Sequence, residues 1–183
     1  MLPWTHFGFG YALFAAVLVA RRVRGWSAGR GPAGVNSRAE LLALGLATQL
    51  PDLIDKPLAW VLFVLPGGRS LAHSLLFAGP LVAAVWLFAR RRGHPEVAGA
   101  FALGYASHLV GDVYVAVAFW RPEEFTFLLW PLAPPYPYDE GLAGFLLEFS
   151  LSRPVLLGLA TGAVLGGVFL AHLWRLPWVR EAA

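Results

Sequence analysis

The sequence predicts an all-α, polytopic membrane protein with about five transmembrane helices, the second broken at Pro51–Pro57. Three observations carry this. Hydrophobic residues make up 58% of the 183 and charged residues only 14%, where a soluble domain carries about a quarter charged. The apolar residues gather into runs long enough for a bilayer crossing, which takes roughly 20 helical residues. The arginines fall between those runs and favour alternate loops. A mean hydropathy of +0.62 agrees. The absence of cysteine excludes disulfide frameworks, thiolate zinc sites and cysteine nucleophiles. The net charge of +3 does not point to nucleic acid, because the arginines sit at span ends, where they set topology and meet anionic lipid. The chain reads as one membrane-embedded domain, 1–183.

The first run, 2–20, ends in Arg21, Arg22 and Arg24 without a basic segment before it, a stop-transfer pattern rather than a cleavable signal. Residues 25–37, rich in Gly, Ser and Pro, read as a cytoplasmic linker. The second run, 39–65, is interrupted by Pro51, Asp52, Asp55, Lys56 and Pro57, and Pro51 suits the first turn of a new helix. The third, 70–89, carries Pro80, which should kink it. The fourth is 97–119. Residues 121–153, with Trp130-Pro131, Pro134-Pro135, Tyr136 and Tyr138, read as an external cap lying on the interface. The fifth run, 154–174, carries Gly158, Gly162 and Gly166. Like Gly8 and Gly10 in the first, they have the spacing of small residues where helices pack. No internal repeat is evident.

Orientation follows from the basic residues. With the N-terminus outside, Arg21, Arg22, Arg24, Arg30, Arg38, Arg90, Arg91, Arg92, Arg175 and Arg180 all fall inside. Lys56, Arg69, Arg121 and Arg153 remain outside or in the outer half. The expectation is an integral protein of the cell membrane, N-terminus out and C-terminus cytoplasmic.

Against this background the ionisable residues within the runs stand out, since a charge near a helix centre costs about 2.5–3.5 kcal/mol on insertion scales. They are His6, Asp52, Asp55, His73, His108 and Asp112. His108 and Asp112 are four apart and share a helix face, as Arg69 and His73 would on a helix. By the topology above all six lie in the outer half. Three imidazoles and three carboxylates at one depth make a ligand set for a divalent metal. Each has a blander reading: a His–Asp pair as a helix staple, Asp52 and Asp55 as caps at a broken helix, His6 as nothing in particular. Six such groups from four spans leave costly unpaired charges unless something gathers them. His94 and His172 fall on the cytoplasmic side, away from this set.

Five short elements follow one another along most of the chain: His6 with Gly8 and Gly10, Pro51-Asp52-Leu53-Ile54-Asp55, Arg69-Ser70-Leu71-Ala72-His73-Ser74, Ser107-His108 with Asp112, and Trp130-Pro131. In this order they resemble the membrane-bound metal-dependent hydrolases of the YdjM type. That family is in turn distantly similar to the zinc-dependent phospholipase C and P1 nuclease group. The resemblance implies that His108 and Asp112 are metal ligands, completed by Asp52 or Asp55, by His73 and by His6. The soluble enzymes carry a second His-x-x-x-Glu helix. Here Glu148 is a carboxylate in that region, but position 144 is Gly. One or two ions, zinc foremost, are therefore expected rather than three.

The resemblance implies a hydrolase, and a site at membrane depth implies a lipid or phosphoester substrate. Whichever of Asp52 and Asp55 is not a ligand is the candidate base; by spacing after Pro51, Asp52 is the ligand and Asp55 faces the water. Arg69 either holds a phosphate oxygen or pins an aspartate. The other readings are an ion- or metal-binding transporter and a non-catalytic membrane protein that keeps a metal for stability.

Overall fold

The computed structural model describes residues 3–23, 37–139, 141–148 and 153–177, and all regular structure among them is helical. Seven α-helices follow in order: α1 Pro3–Val23, α2 Arg38–Ala47, α3 Leu50–Trp60, α4 Leu75–Arg91, α5 Pro95–Ala118, α6 Gly141–Glu148 and α7 Arg153–Trp174. Two 3₁₀ turns, Pro122–Glu124 and Thr126–Leu129, lie between α5 and α6. Of the linker 25–37 only Ser37 is among the described residues.

Local chemistry sets several boundaries. Ser37 caps α2, its hydroxyl accepting from the Glu40 amide at 3.3 Å. Ser74 caps α4 by accepting from the Leu76 amide at 3.2 Å. Pro95 opens α5, where a missing N–H costs nothing.

The bounds expected for the five runs need correcting. Among the described residues two helices, Pro95–Ala118 and Val155–Trp174, are long and apolar enough for a single crossing, and Trp4–Ala20 is a shorter apolar helix. The second run is two helices of 10 and 11 residues. Its break is not at Pro51–Pro57 but upstream, at Thr48-Gln49, and both prolines lie within α3. The reason is local: Pro51 has no N–H for the Ala47 carbonyl and its ring crowds that oxygen, so the α2 ladder cannot run through it. The third run is shortened because residues 61–74 are not helical and α4 starts at Leu75. That helix continues through Pro80.

Close helix approaches rest on small residues. Gly104 lets α5 lie against the Leu44 carbonyl and Ala47 of α2. Gly10 of α1 faces Thr48 and Ser107. Helices α1 and α7 run side by side in the same direction, with Trp4 on Gly158 and Gly162, Phe7 on Phe169, and Tyr11 on His172. Gly166 meets nothing, so the packing role expected of it is not found. Two apolar clusters form the core. One joins Tyr11, Phe14, Leu41, Leu44, Ala100 and Phe169, the other Ala47, Ala78, Phe101, Tyr105 and Leu109. Burying such side chains contributes roughly 1.5–3 kcal/mol for each large one. Outward, α7 presents Leu157, Val164, Val168 and Leu170, an apolar face suited to lipid.

Candidate metal centre

Beyond the second apolar cluster, four segments deliver ionisable side chains to one place. The start of α1 supplies His6, α3 supplies Asp52 and Asp55, and the second half of α5 supplies His108 and Asp112. His73 comes from the turn before α4, not from a helix, so the expected helical stacking of Arg69 on His73 does not occur. What shapes that turn is Asp55. Its carboxylate accepts from the amides of Ser70 (2.9 Å), Ala72 (2.8 Å) and His73 (3.2 Å), and from His73 Nδ1 (2.8 Å).

Both histidines are fixed from behind. His108 Nδ1 donates to the Thr48 carbonyl at 2.7 Å. A carboxylate and a carbonyl can only accept, so in the neutral rings Nδ1 carries the hydrogen and Nε2 carries a lone pair. Those two Nε2 atoms lie 3.1 Å apart. Asp112 Oδ2 lies 3.3 Å from each, and Asp52 Oδ1 lies 3.5 Å from His73 Nε2 and 3.8 Å from His108 Nε2. Four acceptors therefore converge.

This donor set fits a divalent ion. Ligands about 2.0–2.1 Å from a tetrahedral zinc lie about 3.3–3.4 Å from one another, and His73, His108 and Asp112 match that spacing while Asp52 stands slightly further out. The outer oxygens of the two carboxylates are held by cations: Asp52 Oδ2 accepts from Lys56 Nζ at 2.6 Å and Asp112 Oδ1 from an Arg69 terminal nitrogen at 2.9 Å. Burial works most strongly against the Arg69 charge, but Asp112, Tyr136 and Asp52 together outweigh it and raise the guanidinium above its ordinary pKa. His6 stacks on His108 with ring centres 3.9 Å apart. Its Nε2 is 3.4 Å from Asp112 Oδ1, and neither of its ring nitrogens has a hydrogen-bonding partner among the described residues. His6, Asp52 and His108 thus form a second, overlapping set of ligand atoms.

The segment after α5 covers the cluster. Phe127 is fully buried with its ring against His73, and Arg69 lies over the rings of Phe127 and Tyr136. Ser74 donates to the Trp130 carbonyl at 2.6 Å, beside the cis Trp130-Pro131 peptide.

The structure brings His6, Asp52, His73, His108 and Asp112 together, with Arg69 pinning Asp112. Asp55 stands one layer back. Its oxygens are engaged by three amides and a ring nitrogen, which is why it does not face the converging atoms as the spacing after Pro51 implied. The Glu148 side chain lies outside the described residues. His172 is apart, against the Tyr11 hydroxyl, and His94 pairs with Glu96. Sequence reasoning took Lys56 for an interruption, although its place four residues after Asp52 is a readable helical pair. The Thr48 carbonyl left no signal. Nor did Asp139, which accepts from the Trp60 indole and from the Gly68 and Gly141 amides, tying α3 to the covering segment.

In a comparison with known families, the family model described as YdjM inner membrane protein matches residues 1–177. No curated protein and no solved structure matches the chain.

Proposed function

The chain belongs to the YdjM inner membrane protein family, and on that premise we propose that it is a membrane-embedded, metal-dependent hydrolase. One observation carries the reading. In their neutral forms His73 and His108 each offer a lone pair at Nε2, and the two nitrogens and two carboxylate oxygens converge. Acceptors facing acceptors in a buried site repel unless a cation lies between them.

In this reading His73, His108 and Asp112 would hold a divalent ion, zinc foremost. His6 and the second set of ligand atoms leave room for one further ion. A divalent ion there would lower the pKa of a bound water towards neutrality and polarise the substrate oxygen. The protein's own groups do the rest. Asp55 and the Thr48 carbonyl orient the two rings, Arg69 orients Asp112, and Phe127 keeps bulk water away. Asp52, the more distant and more exposed of the two converging carboxylates, is the base. It takes a proton from the attacking water as the new bond to phosphorus or acyl carbon forms. It then returns the proton to the ester oxygen as that bond breaks.

The substrate class is a lipid or phosphoester. We propose further that α2 and α3 together make one broken crossing, giving five with α1, α4, α5 and α7. The N-terminus is then outside, the C-terminus cytoplasmic and the centre in the outer half. Elemental analysis of purified wild type and His108→Ala, with phosphoester hydrolysis assayed on both, tests the core claim. Metal and turnover in the wild type, and loss of both in the variant, are expected. A wild-type protein free of divalent metal would overturn it.

A further inference from the structure

Asp55 ties the turn that carries His73 to α3. The groups that His73 Nε2 meets, His108 and Asp112, ride on α5, so their spacing to His73 depends on how the turn is held against that helix. Tyr105 holds it there. It lies three residues before His108 and seven before Asp112, positions that share one face of α5. Its ring is buried in the second apolar cluster, near that of Phe101. From that place the hydroxyl donates to the Ala72 carbonyl at 2.5 Å. The same carbonyl belongs to the peptide group whose N–H is that of His73, and this N–H donates to Asp55 Oδ2 at 3.2 Å. The peptide unit directly before His73 is therefore gripped at both ends, by α5 through its oxygen and by α3 through its nitrogen. A peptide unit is planar, so holding both ends fixes the direction in which the chain enters His73.

We infer that Tyr105 is a positioning residue of the metal centre, whose hydroxyl sets His73 in register with His108 and Asp112 through the Ala72 carbonyl. The inference rests on the metal reading above and adds to it a residue that acts through the backbone of the turn. A buried tyrosine hydroxyl usually finds some partner. What matters here is which one it finds. Packing among Ala47, Ala78, Phe101 and Leu109 asks only for an aromatic ring, and phenylalanine would fill that place. The hydroxyl adds a bond that spans 33 residues and ends on the residue before His73. Without it the turn keeps its reference to α3 through Asp55, while His108 Nε2 at 3.1 Å and Asp112 Oδ2 at 3.3 Å from His73 Nε2 stay with α5. One helix thus carries two of the three groups and the bond that aligns the third. Groups that orient a ligand in this way govern affinity for the ion although they do not touch it.

The test uses the full chain in detergent, stripped with a chelator and titrated with zinc against a competing chelator. A parallel titration with cobalt(II) reads the visible absorption bands, which report coordination geometry. Tyr105→Phe keeps the ring and removes the hydroxyl. Phe101→Leu loosens the same apolar cluster without touching the turn, and thermal unfolding midpoints are taken on every sample. Tyr105→Phe is expected to bind zinc about tenfold or more weakly than the wild type, with altered cobalt bands. Phe101→Leu is expected to lower the midpoint and leave zinc affinity and cobalt bands as they are in the wild type. A Tyr105→Phe protein with wild-type affinity and bands, whatever its midpoint, overturns the inference and leaves the metal reading standing. Equal loss of affinity in Phe101→Leu also overturns it, because general loosening of the cluster would then account for the effect. A wild type that takes up neither metal overturns both.

Discussion

His73 and His108 come from positions 35 residues apart, yet their Nε2 atoms meet at 3.1 Å while the opposite nitrogen of each ring is held by an acceptor. Neither ring can turn to relieve the encounter without giving up a buried hydrogen bond, a loss on the order of 1–3 kcal/mol. The pair is thus a rigid edge, with both Nε2 atoms turned to Asp112 and Asp52.

Replacing either histidine by alanine removes that edge. Purified His73→Ala and His108→Ala should each carry far less divalent metal than the wild type, whereas His6→Ala, which loses the stacking on His108 and the contact to the outer oxygen of Asp112, should keep the ion held by His73, His108 and Asp112. Elemental analysis of the three variants decides the matter, and full occupancy in His73→Ala and His108→Ala would sink the ligand assignment.

Asp55→Asn leaves the converging atoms untouched but weakens the hold on His73. A side-chain amide has one acceptor oxygen where the carboxylate had two, and its NH2 faces donors. Loss of such an orienting partner typically lowers metal affinity by about 10–100-fold. Competitive titration with a zinc chelator measures it, and wild-type affinity would mean that backbone contacts alone position the ring.

Asp52→Asn should behave differently. The carboxylate stands further from the two nitrogens than Asp112 does. Its loss should leave the metal in place and lower turnover, by about 10²–10⁴-fold for a general base. Parallel measurement of metal content and hydrolysis separates this from a ligand role, in which metal would leave with activity.

The contrast between these two aspartates marks how far the sequence can be read. Pattern alone locates the Pro51–Asp55 element, and the four-residue spacing of His108 and Asp112 places both on one helix face, because helical geometry follows from local spacing. It cannot tell which aspartate faces the cluster. That depends on where the amides of residues 70–73 turn, in a segment whose shape comes from tertiary hydrogen bonds rather than propensity. The same gap explains the spans. Hydropathy sees residues 39–65 as one run, while the backbone donor missing at Pro51 splits it.

At the α2–α5 crossing the expectation is about stability rather than chemistry. A methyl group at position 104 would come within 2.6 Å of the Leu44 carbonyl and 3.0 Å of the Ala47 side chain. Gly104→Ala must therefore push two helices apart. Overpacking of this kind costs about 1–3 kcal/mol, read as a lower midpoint in thermal unfolding of the detergent-solubilised protein. An unchanged midpoint would show that the crossing yields easily.

Orientation is testable without any chemistry. Reporter fusions after residue 24 and after Arg92 should report a cytoplasmic location, because those loops carry most of the basic residues. An external signal at Arg90–Arg92 would invert the topology and move the centre to the opposite leaflet.

The contact between His108 and the Thr48 carbonyl has a consequence for how this site can change by descent. The gripping atom belongs to the main chain, so no replacement of the side chain at position 48 deletes it. The sensitive position is three residues further on. Were Pro51 exchanged for a residue with an N–H, α2 and α3 could fuse into one helix. The Thr48 oxygen would then turn to an amide of its own strand of backbone, and the ring of His108 would be released. Heritable control over one ring of the centre thus rests on an imino acid whose part is to lack an N–H.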